Sequence, residues 1–379
     1  MLSQRGWRGP CGGIEACWRT HTMGRWIGIA IIALAIGCGG DDEGQDPVPV
    51  PIPVQIIPVS FQVQNVNRSV LTCKADRKTY TLRGHIVAPQ DFDRTKRQDA
   101  VTVYVHAVST GEFLFSDENS PTYSTAHQMA ERGHVSLVYD RLGFDSSDHP
   151  PGLATCMGAQ ADMARQVADL MRSGSYTMEG GQGPAFEHVA LLGLSGGGVI
   201  ANIAAASFDA FDAVTIVSTA IEYKTEVLDA VGQYFVPICM SGGEAVEDDG
   251  TGEKGYSYFA PKQNFIQLIY SSHVDPGQKE LVLQALNRDP CGDLLSFPDA
   301  VMAEATGVAN IHKPVLLVTG HDDALFVPDA GKHFAAMYTG TSDFSFVELA
   351  DCGHEPSREP SASGVYFDTI DDWLAGHGF

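Results

Sequence analysis

Basic residues are scarce in this sequence. Only 24 Lys and Arg stand against 47 Asp and Glu in 379 residues, a formal net charge of −23. So acidic a surface repels phosphate backbones, and nucleic acid is not an expected partner. Long apolar runs are missing too. The stretch from Trp26 to Ile36 is too short to cross a bilayer as a helix, but has the length of the apolar core of an export signal. Neither H-E-x-x-H nor C-x-x-C occurs, so a metal site is not expected. No dinucleotide fingerprint of strand, glycine turn and helix appears, no G-x-x-x-x-G-K-[ST] phosphate loop is present, and no cofactor is expected. Internal repeats are absent as well.

What is present is organised around His188 to Ile200, His-Val-Ala-Leu-Leu-Gly-Leu-Ser-Gly-Gly-Gly-Val-Ile. An apolar run of buried-strand length turns through Gly193, Ser195 and Gly197 as G-x-S-x-G. It continues into Val199, Ile200, Ile203 and Ala204 at helical spacing. Strand, sharp turn and helix are the context of a nucleophile elbow. The small neighbours let strand and helix cross closely, and the turn sets Ser195 at a helix N-terminus with its free N–H groups. A glycine-rich turn without chemistry is the bland alternative.

Upstream, Arg25 precedes the apolar run, which ends in Ala35-Ile36-Gly37-Cys38. A small residue before Cys resembles the lipobox of bacterial lipoproteins, with Ala35 where Leu is usual. The resemblance implies an exported protein, periplasmic or at the cell surface, whose membrane partner is reached through a lipid on Cys38. The alternative is an ordinary cleaved signal and a secreted protein. Met23 is a second candidate start. The leader therefore covers 1–38. A Gly/Asp-rich and then Pro-rich tether follows over 39–55, and the folded domain over 56–379.

Within the domain, strands are expected at Pro58 to Val66, Thr79 to Val87, Ala100 to Val108, His134 to Tyr139, Val214 to Val217, Val315 to Val318 and Phe344 to Leu349. Helices are expected from Ser120-Pro121 to Arg132, along the stripe Met163, Val167, Leu170, Met171, and at Tyr366 to Leu374. Alternating strands and helices predict an α/β class with a mostly parallel sheet covered on both faces. Residues 221–313 break the alternation and read as an inserted cap with helical fragments at Phe265 to Tyr270, Lys279 to Leu286 and Pro298 to Ala305. The polar stretch Gly242 to Gly255 reads as a loop.

A nucleophilic serine needs a base and an acid to orient it. After the strand at Val315 comes Thr319-Gly320-His321-Asp322-Asp323. After the strand at Phe344 comes Ala350-Asp351-Cys352-Gly353-His354. The order Ser, Asp, His, each after a strand, resembles the α/β-hydrolase superfamily of esterase- and lipase-like serine enzymes, from about Ile56 to the C-terminus. That resemblance implies the α/β-hydrolase fold, Ser195 as nucleophile, His354 as base and Asp323 as acid through G-x-x-D from Gly320, with Asp322 as the fallback. It also implies an oxyanion hole from the N–H groups of Gly196 and Val108. His106-Ala107-Val108 stands where the family writes H-G-x, and His106 itself reads as structural. Asp140 to Ser147 resembles the family's D-x-x-G-x-G-x-S segment, with Asp145 in place of the second Gly. The wider string from Tyr139 to Asp162 is similar to a subgroup of exported bacterial and fungal serine hydrolases.

If Cys38 carries lipid, Cys73, Cys156, Cys239, Cys291 and Cys352 remain, so at least one is unpaired. Export permits disulfides, and Cys239 with Cys291, both in the cap, are the expected pair. The reading is hydrolysis of a small-molecule carboxylic ester through an acyl-enzyme on Ser195. The same residues could serve acyl transfer, amide or thioester hydrolysis or perhydrolysis, and a third possibility is a binding lipoprotein on an inactive scaffold.

Overall fold

A computed structural model describes residues 53–246 and 252–379. The leader, Cys38 and residues 39–52 of the tether lie outside the described residues. In chain order the strands are β1 (Val54–Gln64), β2 (Thr79–Pro89), β3 (Gln98–Val105), β4 (Ser136–Tyr139), β5 (Thr177–Met178), β6 (Gly181–Gln182), β7 (Phe186–Leu194), β8 (Ala213–Val217), β9 (Glu244–Ala245), β10 (Lys254–Ser257), β11 (Asp289–Pro290), β12 (Val315–Gly320) and β13 (Phe344–Leu349). The helices are α1 (Thr125–Glu131), α2 (Met157–Ser173), α3 (Gly196–Ser207), α4 (Thr225–Met240), α5 (Lys262–Ile269), α6 (Pro276–Ala285), α7 (Cys291–Gly307), α8 (Ala330–Ala335) and α9 (Ser363–Gly376).

One ten-stranded sheet runs β13-β12-β8-β7-β3-β4-β2-β1-β5-β6. From β13 to β4 neighbouring strands are parallel, while β2 joins antiparallel to β4 and to β1. The parallel strands read as continuous apolar runs because both faces are covered. Along β7, Val189 and Leu191 face one core with α2, α3 and α7, while Ala190, Leu192 and Leu194 face the other with α1 and α9.

Several elements differ from the expectations. β1 begins at Val54, inside the expected tether. β3 stops at Val105, so His106 to Val108 form the loop after it. The helix expected from Pro121 is a 3-10 turn, Pro121–Tyr123, before α1. There Ser124 adopts an extended backbone, and its Oγ accepts from the Asp117 amide at 2.7 Å. Finally, α4 was not foreseen. Its stripe Val227, Val231, Phe235 and Cys239 is buried at four-residue spacing, yet Gly232 and Pro237 interrupt the pattern.

Between β8 and β12 stand α4 to α7 and a small sheet ordered β11-β10-β9. Part of the expected Gly242 to Gly255 loop is thus strand. Within this inserted segment α7 packs against α2 and α3. Disulfides join Cys73 to Cys156 and Cys239 to Cys291, and Cys352 is a free, buried thiol.

Candidate active site

Ser195 ends β7 and caps α3 at φ 56° and ψ −122°, a region that a residue with a side chain rarely adopts. The glycines around it answer to distance. A Cβ on Gly193 would stand 2.3 Å from the Gly197 carbonyl oxygen, and one on Gly197 would stand 2.0 Å from that of Val105. Strand, helix and the loop after β3 therefore meet only because these positions carry no side chain. The amide of Ser195 donates to Val217 at 2.9 Å, which ties the elbow to β8. The residue is 9% exposed.

Asp323 follows β12 and His354 follows β13. Both strands run parallel to β7, so all three residues leave the same end of the sheet. Nδ1 of His354 lies 2.6 Å from Oδ2 of Asp323, and both side chains are buried. The other carboxylate oxygen of Asp323 accepts from the Leu325 amide at 2.9 Å, which fixes its plane. Asp322 is exposed, and its main chain alone is engaged, donating to the Cys352 carbonyl at 2.9 Å. Of the two acids, the structure brings Asp323 to the imidazole. A Cβ on Gly320 would stand 2.1 Å from the Gly353 carbonyl oxygen, so this glycine lets the two loops touch. The amide of His354 donates to Ile269 at 3.2 Å, at the end of α5 in the inserted segment.

Nε2 of His354 is buried without a hydrogen-bond partner, so no bond joins it to Ser195. Contacts of this kind often tighten only when substrate is bound. A cleft of about 400 Å3 beside Asp323, lined by Lys224, Phe326 and Glu348 among others, does not include Ser195.

On the far side of Ser195 lies the loop His106 to Thr110. The amide nitrogen of Val108 is 3.3 Å from the point where a Cβ of Gly196 would stand, so the two expected oxyanion donors are neighbours. His106 is held as a neutral ring. Its Nε2 accepts from the Arg141 amide at 3.0 Å, which leaves Nδ1 to donate to Ala107 O at 2.9 Å. Burial, and then the charge of Arg141, push its pKa well below the usual imidazole range. The structural role expected of His106 fits this bonding.

The next residue, Ser109, was not singled out by the sequence reading. It adopts φ 54° and gives both its amide and its hydroxyl to Asp289, at 2.8 and 2.6 Å. Asp289 is fully buried, and burial raises its carboxyl to about 7 against the pull of the Ser109 bonds. Arg141 and Asp293, which pair at 3.0 Å, were not singled out either. The former lies within a segment noted for its family pattern, and the latter sits two residues after a cysteine. Asp140 shapes the loop as expected of that segment, accepting from the amides of Glu112 and Ser146 and from the Ser146 hydroxyl. Among the described residues no cluster of three or more His, Cys, Asp or Glu is placed to hold a metal ion.

No protein-family model matches the chain, and no curated sequence matches it. Solved structures do. A thermophilic esterase from Thermogutta terrifontis aligns over 84% of this chain and all of its own, at a TM-score of 0.56 and 18% identity. A soluble variant of the monoglyceride lipase of Saccharomyces cerevisiae covers 83% of this chain and 96% of its own, at a TM-score of 0.56 and 11% identity. The enol-lactonase of Burkholderia xenovorans LB400 covers 78% and 97%, at a TM-score of 0.55 and 16% identity. The architecture is the α/β-hydrolase fold.

Proposed function

We propose that this chain is a serine hydrolase that cleaves carboxylic esters through an acyl-enzyme on Ser195. The observation that carries the reading is the buried His354, bonded to Asp323 through Nδ1 with Nε2 unbonded, at the sheet end where Ser195 sits on its strained turn. In the first half-reaction Oγ of Ser195 bonds to the ester carbonyl carbon while its proton passes to Nε2 of His354. The carbonyl oxygen becomes an oxyanion facing the N–H groups of Gly196 and Val108. The C–O bond to the alcohol then breaks, and His354 returns the proton to the departing oxygen. In the second half, water gives its proton to His354 and attacks the acyl carbon, the bond from that carbon to Oγ of Ser195 breaks, and His354 returns the proton to the serine oxygen as the acid leaves. Asp323 holds the imidazole in the tautomer that both halves need. The esterase, lipase and lactonase names of several similar structures denote ester chemistry, which supports an ester substrate.

Turnover of p-nitrophenyl butyrate by Ser195→Ala tests the mechanism. A fall on the order of 10⁴–10⁶-fold is expected, with His354→Ala nearly as damaging and the pair little worse. A folded Ser195→Ala protein with near-wild-type turnover contradicts it.

In the same reading the enzyme is exported and held to a membrane by lipid on Cys38. The disulfides Cys73–Cys156 and Cys239–Cys291 support an oxidising compartment. In cells fed a palmitate analogue, wild type should take up label and Cys38→Ala should not. Equal labelling of both, or of neither, rejects the anchor.

A further inference from the structure

Arg141 and Asp293 form an ion pair in the interior, 1% and 3% exposed, with Nη1 donating to Oδ2 at 3.0 Å. Such pairs are poor stabilising devices, because desolvation offsets most of the attraction. This one has a second partner. Nη2 of Arg141 donates to Ala107 O at 3.2 Å. The same oxygen accepts from Nδ1 of His106 at 2.9 Å and from Oγ1 of Thr110 at 3.0 Å. A trans peptide is planar, with its C=O and N–H on opposite sides. Holding the Ala107 oxygen toward these donors turns the Val108 N–H the other way. Donation to the carbonyl also polarises the peptide and strengthens its N–H as a donor.

The arrangement is anchored in the inserted segment. Asp293 lies on α7 two residues after Cys291, which is bonded to Cys239 of α4. Asp289, just before that cysteine, grips the amide and hydroxyl of Ser109. The peptides on either side of Val108 are thus fixed by side chains that flank one disulfide.

We propose that Arg141, held by Asp293, is a positioning residue for the oxyanion site. It orients and polarises the Ala107–Val108 peptide so that the Val108 N–H meets the charge that develops on the substrate oxygen. The inference rests on the proposed acyl-enzyme at Ser195.

The test uses the full chain with p-nitrophenyl butyrate as substrate and a short-chain alkyl trifluoromethyl ketone as inhibitor. The hemiketal oxyanion of that inhibitor would occupy the same hole. Removing one oxyanion donor costs about 10²–10³-fold in other enzymes, so a donor left in place but unoriented should cost somewhat less. Arg141→Met should lower kcat about 10- to 10²-fold with KM nearly unchanged, and should weaken ketone binding in proportion. Arg141→Lys, which keeps the charge but not the fork, should restore part of both. Thr110→Val, which removes one donor to Ala107 O and no charge, should lose several-fold in kcat and in ketone affinity together. It carries the test if Arg141→Met does not fold. Folded variants that keep wild-type kcat and ketone affinity, or that change KM alone, overturn the inference and leave the Ser195 reading intact. A wild type that neither turns over the ester nor binds the ketone overturns both.

Discussion

On one side of Ser195, Asp323 and His354 come from the loops after the neighbouring strands β12 and β13 and meet directly, at 2.6 Å. On the other, the Val108 amide is set by His106, Thr110, Arg141 and Asp293, drawn from three separate stretches of chain. On the first side the group that acts is a side chain, so the residue type itself carries the chemistry. On the second it is a main-chain N–H, which every residue but proline owns, and its direction depends on distant partners. The first kind of site is fragile to substitution of the acting residue. The second is fragile to substitution of residues that never touch substrate.

The largest expected effect in this comparison lies on the side-chain half. Asp323→Asn should lose on the order of 10³–10⁴-fold in kcat, as the orienting acid does in other triads. Asp322→Asn, exposed one residue away, should change little. Initial rates on p-nitrophenyl butyrate decide it, and the opposite ranking would assign the acid to Asp322.

A smaller effect, in stability rather than rate, is expected from the inserted segment. Glu304 on α7 is 1% exposed, accepts from Nδ2 of Asn202 at 2.7 Å, and leaves its other oxygen without a partner. Burial raises its carboxyl to about 8. In the unfolded chain the group ionises near 4.5, so between that pH and about 8 the folded state keeps a proton that the unfolded state has lost. The contribution of Glu304 to stability is therefore complete in acid and falls as pH rises through that window. Glu304→Gln should raise the melting temperature at pH 8 by several degrees and change it little at pH 4, with kcat preserved. An equal shift at both pH values would show that ionisation of Glu304 is not the cause.

The same contrast governs what could be read from sequence. Ser195 announces itself through neighbours within five residues, and Asp323 and His354 through the strands before them. Their chain order is part of the pattern. The sheet was legible for a similar reason, since strands buried on both faces are apolar throughout. The stripe of α4 was obscured because Gly232 and Pro237 weaken a local signal that packing restores. That α7 belongs with α2 and α3 depends on contacts about a hundred residues apart, which no local period records. Arg141 stood within a segment with a family pattern, but its partner Asp293 is 152 residues away, and nothing near either residue names the other. The Cys239–Cys291 bridge was expected from shared membership of the inserted segment, whereas Cys73 and Cys156 carried no such clue.

The central claim is a covalent bond at Ser195, and mass spectrometry of the protein after reaction with a fluorophosphonate tests it most directly. One adduct per chain is expected, on the peptide that contains Ser195, and none on Ser195→Ala. An adduct on another residue, or one that persists in folded Ser195→Ala, would contradict the account.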